Sequence, residues 1–202
     1  MNIYEDILNR YQKQPVRLDC KRNDIAHLFK HLGFKVGAEI GVDRGYYSKT
    51  LCQANPGVKL YCIDPWEVYE QYVDIRSQAQ IESNYLHTQR LLKPYDCTII
   101  KKTSREAVKD FAPSSLDFVY IDGNHKFEYV KEDLDLWSKV VRKGGIVSGH
   151  DYKPQRRGRT SAGKMPIVGV GQAVDLYVEE NNIKTLFLTV RKGDSSWFFV
   201  KE

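Results

Sequence analysis

The chain has 202 residues, 42% of them hydrophobic, and a net charge of +5. That length holds one full α/β core and is short for two, so residues 1–202 read as a single domain. No apolar run approaches a membrane span and the first residues lack a basic-then-apolar leader, which predicts a soluble, cytoplasmic protein with no membrane partner.

Residues 1–32 show helical spacing, with Ile3, Ile7 and Leu8 and then Ile25, Leu28, Phe29 and Leu32 recurring three and four apart. They predict helices that cover the core. After Gly33 short apolar runs take over, at 35–40, 59–63, 97–100, 116–121 and 145–148, each bounded by Gly, Pro or charge as strands are. Segments of helix length lie between them, at 47–54, 75–92, 105–111 and 129–141. Strand-helix alternation implies parallel strands joined by crossovers. The pattern then breaks: a helix-like stretch at 171–180 precedes strand candidates 184–190 and 197–200, whose short connection permits only an antiparallel hairpin. The expected fold is therefore α/β and Rossmann-like: a mostly parallel seven-stranded sheet with helices on both faces and a C-terminal antiparallel hairpin, residues 33–202 forming the core.

The four cysteines, Cys20, Cys52, Cys62 and Cys97, form no C-x-x-C pair, which argues against a zinc knuckle or a disulfide framework and reads as buried thiols. Basic residues bunch at Lys153, Arg156, Arg157, Arg159 and Lys164. On composition a flexible, solvated loop over 153–166 outranks a nucleic-acid or other anion site, although the charge suits both.

The first core strand runs into Gly37-Ala-Glu39-Ile-Gly41-Val-Asp43-Arg-Gly45, and the second ends on Asp64, nineteen residues beyond Gly45. Glycines at a strand-to-helix turn let a ligand touch bare backbone. A dinucleotide diphosphate favours uncluttered amides, and the carboxylate of Glu39 would repel it. Glu39 and Asp43 instead suit a cationic ligand rich in hydroxyl and amino donors, and Asp64 stands where an acid accepts ribose hydroxyls.

This arrangement resembles the class I S-adenosylmethionine-dependent methyltransferases, over about residues 36–200. The resemblance implies that Glu39, Gly41 and Gly45 line the methionine part of the cofactor, that Asp64 holds the ribose, and that Ser104, opening a helix after the third core strand, meets the adenine.

The fourth core strand runs into Asp122-Gly123-Asn124-His125, and the fifth into Ser148-Gly149-His150-Asp151-Tyr152. Functional groups of open parallel sheets collect at such carboxyl ends, so two Asp and two His are expected on one rim. The longer pattern, Tyr-Ile-Asp122-Gly-Asn-His125-x-Phe-Glu-x-Val-x-x-Asp followed by Trp, Gly-Gly and Gly-His150-Asp151-Tyr, is similar to macrocin-type sugar O-methyltransferases. That similarity implies a divalent ion such as Mg²⁺ held by Asp122 and Asp151. His150 stands where that group has another acid. Methyl transfer to an alcohol also needs its proton removed or its pKa lowered, by His125 or His150 as general base or by a metal-bound oxygen, and Asp122 joins the two histidines as a catalytic candidate.

The expected activity is O-methylation of a small molecule or glycan, with aromatics at Trp66, Tyr69 and Tyr72 facing the acceptor or acting as a lid. RNA or protein methylation through residues 153–164, and a non-catalytic nucleotide-binding or scaffold domain of the same fold, are the alternatives. A homo-oligomer is compatible with the sequence.

Overall fold

A computed structural model describes residues 15–68, 77–152, 169–191 and 195–202. Short β1 (Val16–Leu18) leads into α1 (Arg22–His31). Then β2 (Val36–Ile40), α2 (Tyr46–Ala54), β3 (Lys59–Asp64), α3 (Gln78–Leu92), β4 (Cys97–Lys101) and α4 (Ser104–Ala107) follow in alternation. A 3-10 turn (Val108–Asp110), β5 (Leu116–Ile121), α5 (Phe127–Val140), β6 (Val141–Gly149), α6 (Val170–Glu180), β7 (Phe187–Thr189) and β8 (Trp197–Val200) complete the chain.

The strands form one eight-stranded sheet in the order β1-β7-β8-β6-β5-β2-β3-β4. Strand β8 runs antiparallel to β6 and β7, and the other pairings are parallel, as the hairpin and the alternation predicted. Strand order reverses between β2, which continues to β3, and β5, which continues to β6. A crevice opens at the carboxyl ends of strands at such a switch point.

The expectation of helices through residue 32 needs correcting. Residues 1–14 lie outside the described residues, and Val16–Leu18 are a strand whose partner is β7, with Val16 opposite Phe187 and Leu18 opposite Thr189. Val16 is 41% exposed, so this strand lacks the buried alternation that betrays one, and its partner lies far along the chain. The helix expected at 105–111 is a single α turn that tightens into 3-10 geometry.

Two apolar layers cover the sheet. One gathers Ile40, Val119, Ile121, Leu134, Trp137, Val174 and Phe199 beneath α5 and α6. The other gathers Ile25, Phe29, Leu51, Leu60, Phe118 and Tyr120 beneath α1 and α2. Phe29 of α1 stacks on Phe118 of β5 at 4.1 Å, and Gly37 of β2 makes room for that ring, since a Cβ there would stand 2.2 Å from it. This contact fixes α1 over the sheet and sets its first turn at the crevice.

Two loop-to-helix junctions carry reciprocal caps, Ser77 with Gln80 and Thr103 with Glu106, satisfying amides that a helix start leaves open. None of the four cysteines is in a disulfide, with Cys52 and Cys62 buried and Cys20 and Cys97 half-buried. No helix among the described residues is long and apolar enough to cross a membrane.

Candidate active site

A cavity of about 850 Å³ opens at the switch point, within the ~300–1,000 Å³ usual for small-molecule sites. Its wall includes Glu39, Gly41, Asp43, Asp64, Ser104, Asp122 and His125. Gly45, His150 and Asp151 are not on that wall, though the latter two touch residues that are.

Gly41 has φ +85°, and a Cβ on it would stand 2.3 Å from the Asp122 carbonyl oxygen, so the end of β5 passes against bare backbone. Gly45, at φ +74°, precedes the first turn of α2. Between them Asp43 holds φ 50° despite its side chain. Its carbonyl accepts from Trp66 Nε1 (2.8 Å) and Thr88 Oγ1 (2.9 Å), and its carboxylate accepts from Asn84 Nδ2 (2.7 Å). These bonds compensate the strain of a left-handed non-glycine residue.

Asp64 also braces this turn. Its Oδ2 accepts from the amides of Val42 and Asp43, both at 3.0 Å, and its Oδ1 accepts from the Trp66 amide at 2.8 Å. Burial raises its pKa and these three amides oppose the rise. Trp66 itself is buried and roofs the turn against Tyr85, with ring centroids 4.9 Å apart, while Tyr69 and Tyr72 lie outside the described residues.

Glu39 is 1% exposed and accepts a hydrogen bond from the Ser48 hydroxyl of α2. Desolvation pushes its carboxyl up to about 8, against the pull of Ser48 and Arg22 and with the push of Asp122 and Asp64. The group is therefore poised: a cation beside it restores the ionised form and gains an attraction that water does not screen.

At the edge toward β4, the Ser104 hydroxyl donates to Asp133 of α5 and accepts from Trp137 Nε1 at 2.7 Å. Asp133 is 6% exposed, lines the cavity, and has its carboxyl pushed up to about 7 by burial, with Ser104 holding it down. Its signal in the sequence is an acid on the apolar stripe Val130, Asp133, Leu134, Trp137, at the three- and four-residue spacing of a buried helix face.

The four rim residues converge. His125 Nε2 lies 3.4 Å from Asp122 Oδ1, and His125 Nδ1 lies 3.5 Å from Asp151 Oδ2. His150 Nδ1 lies 3.5 Å from Asp151 Oδ1 and 3.9 Å from Asp122 Oδ1. Ligand atoms of Asp122, His125 and Asp151 all fall within 4.8 Å of one another, which adds an imidazole to the two acids expected from the sequence. Arg22, from the first turn of α1, brings a guanidinium 3.5 Å from Asp122 Oδ2, a contact that no motif or spacing signals. The basic segment 153–164 lies outside the described residues.

A family described as a methyltransferase domain matches residues 38–152, more than half the chain and every residue of this site except Arg22. The chain belongs to that family. Among solved structures, this methyltransferase is similar to the O-methyltransferase TomG of Streptomyces achromogenes in complex with SAM, at 18% identity and TM-score 0.62, covering 90% of this chain and 80% of that one. It is also similar to an O-methyltransferase of Bacillus cereus in complex with SAH, at 14% identity and TM-score 0.62 over 97% and 88% of the two chains. A precorrin-6y C5,15-methyltransferase of Geobacter metallireducens aligns at 12% identity and TM-score 0.57 over 88% and 87%. These likenesses are of fold, and they include different acceptor chemistries.

Among curated proteins, an uncharacterized protein of Acanthamoeba polyphaga mimivirus is 32% identical over 123 residues, 58% of this chain and 52% of its own length. An uncharacterized protein of Sinorhizobium fredii is 23% identical over 124 residues, 59% of this chain and 13% of its own length. The match thus spans only part of either relative.

Proposed function

We propose that the protein transfers a methyl group from S-adenosylmethionine to an oxygen of a small molecule or sugar. The observation that carries this reading is the continuity of one cavity from the Glu39–Gly41–Asp43 turn and Asp64 to Asp122 and His125. A donor site and an ionisable, proton-accepting site share one space. The similar O-methyltransferase structures from Streptomyces achromogenes and Bacillus cereus are complexes with SAM and SAH, which agrees with a buried acid suited to a sulfonium.

In this reading Asp64 and the turn hold the ribose, Ser104 and Asp133 border the adenine, and Glu39 faces the amino-acid end. The acceptor oxygen attacks the methyl carbon in line with the carbon-sulfur bond. As the new carbon-oxygen bond forms, the sulfonium leaves as the neutral thioether S-adenosylhomocysteine, and the acceptor's proton passes to a base. His125, on the cavity wall between Asp122 and Asp151, and His150, whose Nδ1 faces the same two acids, are the candidate bases. Holding the partners in line supplies up to ~7–11 kcal/mol, and general base catalysis a further ~10²- to 10⁴-fold.

Two carboxylates and an imidazole within 4.8 Å of one another also fit a divalent cation, which Asp122, His125 and Asp151 would hold. Such an ion, when bound, lowers the pKa of the acceptor hydroxyl. His125 cannot serve at once as its ligand and as a free base.

Calorimetry with S-adenosylhomocysteine and with NAD tests the donor assignment. We expect saturable binding of the first and none of the second; the reverse result defeats the reading. Mass spectrometry of the methylated product then reports the acceptor atom.

A further inference from the structure

We propose that Arg22, in the first turn of α1, receives the carboxylate of the cofactor's amino-acid end, so that the helix preceding the first core strand belongs to the cofactor site. This rests on the S-adenosylmethionine reading above. The amino-acid end of that cofactor is a zwitterion: its ammonium needs acceptors and its carboxylate needs a cation.

Acids outnumber arginines on the cavity wall, whose arginines are Arg22, Arg44 and Arg105. Arg105 follows β4 at the sheet edge and is paired with Glu132. Arg44 is exposed, with its guanidinium 5.1 Å from the Tyr46 ring centre. Arg22 alone of these three pairs with Asp122 at the end of β5, on the far side of β2 from β3 and β4. Nucleoside recognition at Asp64 and Ser104 occupies the β3 and β4 ends, so the amino-acid end extends toward β2 and β5, where Glu39, Asp122 and Arg22 meet.

Arg22 is held ready for this. Its guanidinium stands over the Tyr47 ring at 4.9 Å, and its own carbonyl accepts from Tyr47 Oη at 2.8 Å. Burial works against its charge, and Tyr120, Asp122 and Tyr47 more than offset that, so it stays cationic. The 3.5 Å contact with Asp122 Oδ2 is longer than the ~2.7–2.9 Å of a well-formed charged hydrogen bond. An incoming carboxylate can take two N–H groups along an edge of the planar guanidinium, whose face rests on Tyr47, while Glu39 accepts from the neighbouring ammonium.

The test compares two ligands on the full chain by calorimetry: S-adenosylhomocysteine, and 5′-methylthioadenosine, which has the same nucleoside and thioether but no amino acid. Arg22→Gln should weaken S-adenosylhomocysteine by ~10- to 100-fold and leave 5′-methylthioadenosine within about twofold, with Arg22→Lys recovering part of the loss. Unchanged S-adenosylhomocysteine affinity in Arg22→Gln overturns the proposal. So does an equal loss for both ligands, which marks a structural role for the helix. If the unaltered protein binds neither ligand, the cofactor reading falls and takes this proposal with it; if it binds both and only the variant comparison fails, the cofactor reading stands.

Discussion

Asp122 turns its two oxygens to different neighbours: Oδ2 lies 3.5 Å from the Arg22 guanidinium, and Oδ1 lies 3.4 Å from His125 Nε2. One carboxylate at the end of β5 thus joins the helix at the start of the described chain to the histidine of the rim. Removing its charge should disturb chemistry more than binding. Asp122→Asn should keep S-adenosylhomocysteine affinity within about threefold and cost ~10²- to 10⁴-fold in turnover, read from single-turnover product formation. Retained turnover would leave Asp122 without a catalytic part.

The backbone approach at Gly41 can be separated from its backbone conformation. Gly41 and Gly57 have nearly the same positive φ, +85° and +82°, but a Cβ on Gly57 meets nothing within 4 Å, whereas one on Gly41 meets the Asp122 carbonyl at 2.3 Å. Gly57→Ala should cost ~1 kcal/mol in chemical denaturation, the strain of the dihedral alone. Gly41→Ala should cost several times as much, because β5 must move.

Asp64 braces the turn through three amides, so its replacement should act on the free protein as well as on binding. Asp64→Ala leaves buried donors unpaired at ~1–3 kcal/mol each, and a lowered melting temperature without ligand is expected. A variant with weakened cofactor binding and unchanged melting would show that the acid serves the ligand only.

The pH dependence follows from Glu39. Its carboxyl is pushed up to about 8 by burial, so the folded protein favours the protonated form. The stability this contributes is full below the ordinary glutamate range near ~4.3 and is lost as pH rises through the raised value. Relative to the unaltered protein, Glu39→Gln should gain stability steadily from pH 5 to pH 8 in thermal melts. Parallel melting curves across that range would place Glu39 in a more hydrated setting than its burial implies.

Metal assistance is decided by chelation. If Asp122, His125 and Asp151 hold a divalent cation, chelator should lower turnover, and magnesium or manganese should restore it. If chelator has no effect, an imidazole base gains, and replacing His125 or His150 by Gln should separate the two in single-turnover rates.

Much of this was legible in the chain. Runs such as Leu116–Ile121 are buried nearly end to end, and continuous apolar stretches between helix-length segments mark a doubly covered parallel sheet. Glu39, Gly41, Asp43, Asp64, Ser104, Asp122 and His125 share one cavity because each follows or ends a strand at the same edge. Three features escaped. β1 is three residues long with exposed side chains, so only its distant partner makes it a strand. The bracing by Asp64 uses backbone amides, which carry no residue code. Arg22 begins an ordinary amphipathic helix, and its role depends on where Phe29 sets that helix down.

The pairing of β1 with β7 orders events during synthesis. Strands β2, β3 and β4 have all their sheet partners once residue 121 has left the ribosome, and β5 then awaits only β6. The strand just before Arg22 has none until residue 189 follows. On a growing chain the β2–β4 side of the cavity therefore has its sheet partners first, and β1, just ahead of α1, pairs only when the last hairpin arrives. A nascent protein halted short of β7 can already seat Phe29 on Phe118, but the strand ahead of its first helix has no sheet partner.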